Sequence, residues 1–150
     1  MTWIIPITDR TVRDTQAARE LQSTVDEDLK GSLNPSDLNR IESNSLYIRD
    51  ELLKYGYSVE IDAKTDWVME DVPTRQQADR IRQNVMKLRS GYYTLPGSPG
   101  IRFSDYLDWS DANSLEQNLA NIDTLLSWMG AGFRRCGQFT AVCGNGVILP

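Results

Sequence analysis

Asn34-Pro-Ser-Asp-Leu-Asn-Arg-Ile-Glu-Ser-Asn44, Thr74-Arg-Gln-Gln-Ala-Asp-Arg-Ile-Arg-Gln-Asn84 and Asp108-Trp-Ser-Asp-Ala-Asn-Ser-Leu-Glu-Gln-Asn118 align without a gap, and this threefold pattern decides the fold. The copies begin 40 and then 34 positions apart, at residues 34, 74 and 108. Each opens on a side chain that can accept hydrogen bonds from the free amides of a first helical turn: Asn34, Thr74 or Asp108. Three residues on, Asp37, Gln77 or Asp111 can reach back to the cap amide, as in a capping box. Pro35 sits at the first helical position, where a missing N–H costs nothing. Leu33 with Leu38, and Leu107 with Ala112, are placed as hydrophobic staples.

The residues downstream keep a helical period. From Leu38, Ala78 and Ala112, apolar residues recur at three, ten and fourteen positions in all three copies, and at seven in two of them. The stripes are Leu38, Ile41, Ile48 and Leu52, with Ser45 as the exception; Ala78, Ile81, Val85, Leu88 and Tyr92; and Ala112, Leu115, Leu119, Ile122 and Leu126, continuing to Met129. Steps of three and four put each set on one face, the seam of a packed helix. A weaker stripe, Ala18, Leu21, Val25 and Leu29, predicts an earlier helix from about Thr11 to Leu29. The expected fold is mainly α: a four-helix body over residues 1–132 built on three repeated helix starts. Gly56 should end the second helix, with Tyr57 to Ile61 a short extended stretch, and Leu95-Pro-Gly-Ser-Pro-Gly100 excludes regular structure. Asn145-Gly146, a hairpin-turn dipeptide, makes 133–150 a short β-hairpin or extended tail.

Composition narrows the function. The chain has 150 residues, 40% hydrophobic and 25% charged, an ordinary globular balance. A net charge of −5, from 16 basic and 21 acidic residues, argues against a nucleic-acid surface, which needs a local excess of Lys and Arg. The basic spots around Arg75 to Arg89 and at Arg134-Arg135 are too sparse to reverse this. No run of apolar residues is long enough to span a membrane. The start, Met1-Thr-Trp-Ile-Ile-Pro6, lacks the basic flank and length of a signal peptide. There is no histidine, which removes the commonest general base and metal ligand. Cys136 and Cys143 read as reduced thiols of a cytoplasmically made protein, with a disulfide across a hairpin as the alternative.

No group of residues reads as a catalytic centre or a cofactor site. Asp26-Glu-Asp28 and Glu70-Asp71 fall at helix ends or loops, where carboxylates are solvated, and Asp62 to Asp66 lacks the glycine and glutamate of an EF-hand. The repeated Asn44, Asn84 and Asn118 border the apolar stripes, and are expected to bond backbone in a neighbouring loop rather than to form a ligand ring. Trp3, Trp67, Trp109 and Trp128, with Tyr55, Tyr57, Tyr92 and Tyr93, are expected to pack between helices rather than to stack on sugars. The tail is apolar for a segment that the body does not need, so Phe133, Arg134, Arg135, Phe139, Val147 and Ile148 form a candidate partner interface.

Trp67…Asp71-x-Pro73-Thr74…Asp79-Arg-Ile-x-x-Asn84-x-x-x-Leu88-Arg89, then Pro96 and Pro99, Asp111-Ala-Asn-x-Leu-Glu116-x-x-Leu119, and Phe133-Arg-x-x-Gly137-x-Phe139, together resemble a family of small structural proteins of tailed bacteriophages and prophages of Gram-positive hosts. Asp37-Leu-Asn-Arg-Ile-Glu-x-Asn44 is similar to the equivalent element of that family. The likeness runs from about Asp9 to Phe139. It implies a virion component of the tail, baseplate or fibre apparatus, made in the host cytoplasm. It implies no catalytic residues and no cofactor, with other virion proteins and further copies of the chain as partners. The alternative of a different class is a carbohydrate-binding module for host-surface glycans; two or more rings along an open groove would favour it.

Overall fold

The computed structural model describes residues 1–21 and 29–147, with side chains described to residue 132. Four helices follow one another: α1 (Val12–Leu21), α2 (Pro35–Lys54), α3 (Arg75–Gly91) and α4 (Trp109–Val147). No strand occurs among the described residues. The backbone of α4 is helical to Val147, where a hairpin or extended tail was expected; the side chains from 133 onward, and with them the proposed docking residues, lie outside the described residues.

The three repeated motifs are three equivalent helix starts. Thr74 caps α3 in both directions: its hydroxyl accepts from the Gln77 amide, and its own amide donates to Gln77 Oε1 at 2.8 Å. Asp108 does the same with Asp111. At α2 the Asn34 amide donates to Asp37 Oδ2 at 3.0 Å, while the Asn34 side chain turns away to Leu29 O. A fourth box, unforeseen, starts α1: Thr11 and Asp14 exchange the same pair of bonds. α2 ends on Gly56, whose φ of +88° only glycine adopts freely. The Gly56 and Tyr57 amides there bond Leu53 O and Leu52 O, a Schellman closure.

α2, α3 and α4 pack against one another pairwise and run parallel. Near their starts Arg40 meets Glu116, Arg80 meets Glu42 and Arg82 meets Asp111. Towards their ends, Leu52 of α2 and Val59 both lie against Gly91 of α3, and Tyr47, Glu51 and Tyr55 of α2 line one cleft with Asp123, Leu126 and Gly130 of α4. Matched levels at both ends require a common direction. The long connectors follow from this, since a 20-residue helix rises about 30 Å and the chain must travel back before starting the next. The stripes meet on the bundle axis: Leu38, Ile41, Ile48, Leu52, Ala78, Ile81, Val85, Leu88, Ala112, Leu115, Leu119, Ile122 and Leu126 are all buried. Ser45, which interrupts the first stripe, is buried too, its hydroxyl donating to Ile41 O. Tyr92 departs from the expectation: it follows the last residue of α3 and is 41% exposed.

α1 is peripheral. Ala18 is its buried residue, and Leu21 of the predicted stripe is 44% exposed. Gly31 packs directly on the α1 backbone, where a Cβ would come within 1.9 Å of Asp14 O.

Candidate functional site

Each of the three grooves between the parallel helices holds an extended segment, here called a strap. Residues 1–10 lie between α2 and α4, residues 57–67 between α2 and α3, and residues 98–107 between α3 and α4. The straps carry backbone N–H and C=O groups into the protein without a sheet to pair them, and unpaired buried groups of this kind are costly. Asparagine solves this, because one amide offers a donor and an acceptor side by side, as a neighbouring strand would. Asn44 takes both groups of Ile4, at 2.9 Å from N and 2.7 Å to O. Asn84 takes both groups of Asp62. Asn118 donates to Pro99 O at 3.0 Å. Proline has no N–H to return, and Arg89 Nη1 supplies a donor to the Asn118 oxygen instead, at 3.3 Å.

A second tier of clamps comes from the position five after each cap, which sequence reading passed over. Asn113 of α4 holds both backbone groups of Arg10, and Asn39 of α2 holds both of Trp67. In each of these two grooves the strap is therefore fastened by one asparagine from each flanking helix. The equivalent residue of α3 is Asp79, which cannot donate; Arg82 takes its place and donates to Ser104 O and Tyr106 O.

The position eight after each cap carries a fully buried charge: Glu42, Arg82 or Glu116. Glu42 accepts from Lys64 N (2.7 Å), Trp67 Nε1 (2.9 Å) and both terminal nitrogens of Arg80 (2.9 and 2.8 Å). Glu116 accepts from Ile7 N and from the guanidinium groups of Arg10 and Arg40, which also share Asp37. Although burial works against the Arg40 cation, its bonds to Glu116 and then Asp37 hold it above the ordinary arginine value. Arg82 pairs with Asp79 and Asp111. The Nε atoms of Arg10 and Arg82 are buried without a hydrogen-bond partner.

These positions account for most of the residues singled out in the sequence. Asn34, Thr74 and Asp108 precede helices, and Asn44, Asn84 and Asn118 fasten straps rather than lining a common cavity. Asp108, though half-buried, is held below the ordinary carboxylate range: burial opposes this, but the Asp111 amide and Arg102 outweigh it. Trp67 is 3% exposed and packs in the core, Trp3 packs on Tyr47 and Tyr57 on Tyr92. Trp128, 60% exposed, and Tyr93, 54% exposed, do not follow the packing expectation.

The groove between α2 and α4 is left partly open by its strap. A cleft of about 210 Å³ there is lined by Tyr47, Glu51, Tyr55, Asp123, Leu126, Ser127 and Gly130. Burial and then the neighbouring Glu51 charge push the Asp123 carboxyl above its ordinary value. Burial, Glu51 and Asp123 together raise the Tyr47 hydroxyl. Among the described residues no cluster of three His, Cys, Asp or Glu side chains could hold a metal ion, and no helix is long and apolar enough to cross a membrane. No family model, no curated protein and no solved structure matches the chain.

Proposed function

We propose that the chain is a non-enzymatic structural subunit of a tailed-phage virion, part of the tail, baseplate or fibre apparatus, and that it acts by assembling with other proteins. One observation supports this reading above others. Many of the polar residues that carry the likeness to phage structural proteins fasten straps to helices: Asn39, Glu42 and Asn44 on α2, Arg80 and Asn84 on α3, Asn113 and Glu116 on α4. Their hydrogen-bonding capacity is spent inside the chain. A motif that specifies a clamped frame, and not a pocket, suits a protein whose task is to hold a shape within an assembly. Further copies of the chain and neighbouring tail proteins are the proposed partners, with 133–150 as the docking segment. The test is mass spectrometry of purified particles from an induced host. The protein should be a stoichiometric particle component, and a chain truncated after Gly132 should fold but no longer incorporate. Expression without any presence in particles would overturn the reading.

The glycan-binding alternative has one observation in its favour: Tyr47 and Tyr55 both line the open α2–α4 cleft, beside two carboxylates. Titration with a wall-derived oligosaccharide tests it directly.

A further inference from the structure

The α2–α4 cleft lies in a pseudo-threefold arrangement, at a level that a strap fills in the sister α2–α3 groove. At the level thirteen after the cap, each helix touches its own strap: Tyr47 packs on Trp3, Lys87 donates to Glu60 O, and Asn121 donates to Ser98 Oγ. Above that level the α2–α3 groove is still filled. Val59 lies so close to Gly91, seventeen after the cap, that a Cβ there would sit 2.6 Å from its methyl, and Tyr57 continues to Tyr92. In the α2–α4 groove this level is the cleft between Glu51 and Asp123. The residue of α2 equivalent to Gly91 is Glu51. It faces Asp123 across the cleft, and Asp123 has no cationic partner among the described residues.

We infer that this cleft receives an extended peptide segment of a partner protein, running as the straps do and placing a lysine or arginine side chain between Glu51 and Asp123. The backbone part of the inference rests on the occupied sister groove, in which an extended chain takes this same place. The side-chain part rests on charge. Where Gly91 leaves room for an apolar Val59, the α2–α4 groove offers two carboxylates of which only Glu51 has a cation, Lys54, beside it. Tyr47 and Tyr55 supply aromatic walls suited to the stem and the charge of such a side chain. A guanidinium bridging both acids would relieve the repulsion between Glu51 and Asp123. The inference goes beyond the virion reading and does not depend on it, since the groove and its charges are the same in any assembly.

The test uses the full 150-residue chain, isotopically labelled and followed by amide NMR, with the blocked tripeptide Ac-Val-Arg-Val-NH2 as probe and Ac-Val-Glu-Val-NH2 as its charge-reversed control. The arginine peptide should saturate shifts at Glu51, Asp123, Ser127 and Gly130 at millimolar concentrations, the range expected of so small a ligand. The glutamate peptide should bind at least about tenfold more weakly. Asp123→Asn should weaken the arginine peptide by about tenfold, and Ser127→Trp, a bulky group at the exposed wall, should abolish the response while circular dichroism stays unchanged. Equal response to both peptides, shifts confined elsewhere, or binding indifferent to Asp123→Asn and Ser127→Trp would overturn the inference. So would the same resonances moving on dilution of the protein alone, which would make a second copy the occupant. Saturation by an N-acetylglucosamine trimer in place of the arginine peptide would give the groove to a glycan instead.

Discussion

Replacing Glu42 by Gln removes a charge with almost no change of shape, and the geometry says what that should do. Each Glu42 oxygen accepts two donors: Oε1 from Trp67 Nε1 and Arg80 Nη2, Oε2 from Lys64 N and Arg80 Nη1. Whichever way a glutamine amide sits, its NH2 faces two donors from which it cannot accept. The cheaper choice orphans the Lys64 amide and leaves Arg80 Nη1 with Asp62 O alone, because the other orientation strands the buried indole. The orphaned amide costs about 1–3 kcal/mol, and the weakened hold on Arg80 adds to it. Breaking a buried ion pair by removing one partner costs about 3–5 kcal/mol in all. A 150-residue chain unfolds with an entropy of about 0.3 kcal/mol per kelvin, so the midpoint should fall by about 10–16 °C. Thermal denaturation followed at 222 nm measures this, with the exposed Glu60→Gln as a control that should change stability by less than about 0.5 kcal/mol. The double variant Glu42→Leu/Arg80→Met should lose clearly less than the sum of its single changes, since neither charge is then left alone. If Glu42→Gln stays within about 1 kcal/mol of the parent, the buried carboxylate is not what ties the α2–α3 groove together.

Three other perturbations follow from the same geometry. Thr74→Ala removes the hydroxyl that accepts the Gln77 amide and should cost about 1 kcal/mol in urea denaturation. Gly31→Ala puts a methyl against the Asp14 and Thr15 backbone, which cannot yield unless α1 moves; about 2 kcal/mol should be lost, with hydrogen exchange accelerated in α1. Asp123→Asn should stabilise at pH 7. Burial and then Glu51 raise the native carboxyl above its ordinary 3.8, so the native state keeps that proton longer than the unfolded chain. The group's contribution is therefore complete below 3.8 and lost as pH rises through the raised value. Urea midpoints of variant and parent should converge as pH falls towards 4, and a gap that widens on acidification would refute the assignment.

The helices were legible because their signals are local. A cap, a box residue three later and a period of three and four depend only on neighbouring positions, and Thr74 or Leu115 reads the same in the sequence as in the fold. The straps were legible only in part: Tyr57 to Ile61 reads as extended and Asn44, Asn84 and Asn118 as amides that bond a loop's backbone, but not which segment meets which helix. Residues 1–10, 57–67 and 98–107 have no period of their own, since what fixes them is a side chain on a helix up to 109 residues away, as with Ile7 and Glu116. The buried charges were overlooked for a related reason. Glu42, Arg82 and Glu116 each stand next to a core residue, and a charged residue beside a stripe reads as solvated unless its partner is known. The aligned copies did hold the clue: eight after every cap stands a charge, and five after it Asn, Asp, Asn.

The ways in which the α3–α4 groove departs from the other two are correlated, and this is the strongest sign that the straps are held by design of the pairings rather than by general packing. Pro99 cannot donate to Asn118, and Arg89 appears at the vacant oxygen while also bonding Pro99 O. Asp79 cannot donate to a strap carbonyl, and the charge eight after the cap becomes Arg82, which donates to two of them. A buried cation then needs an acid on the next helix. At the other two interfaces that helix presents Arg40 or Arg80 to a glutamate, whereas α4 has the neutral Ser114 six after its cap, and Asp111 pairs with Arg82 instead. Arg82→Glu alone would therefore restore the common pattern in sequence and fail in structure. It would place a carboxylate against Asp111, strand the Ser104 and Tyr106 carbonyls, and find no arginine opposite. Only with Ser114→Arg and Asp79→Asn beside it would the groove regain the logic of its sisters, so the triple variant should be markedly more stable than Arg82→Glu by itself.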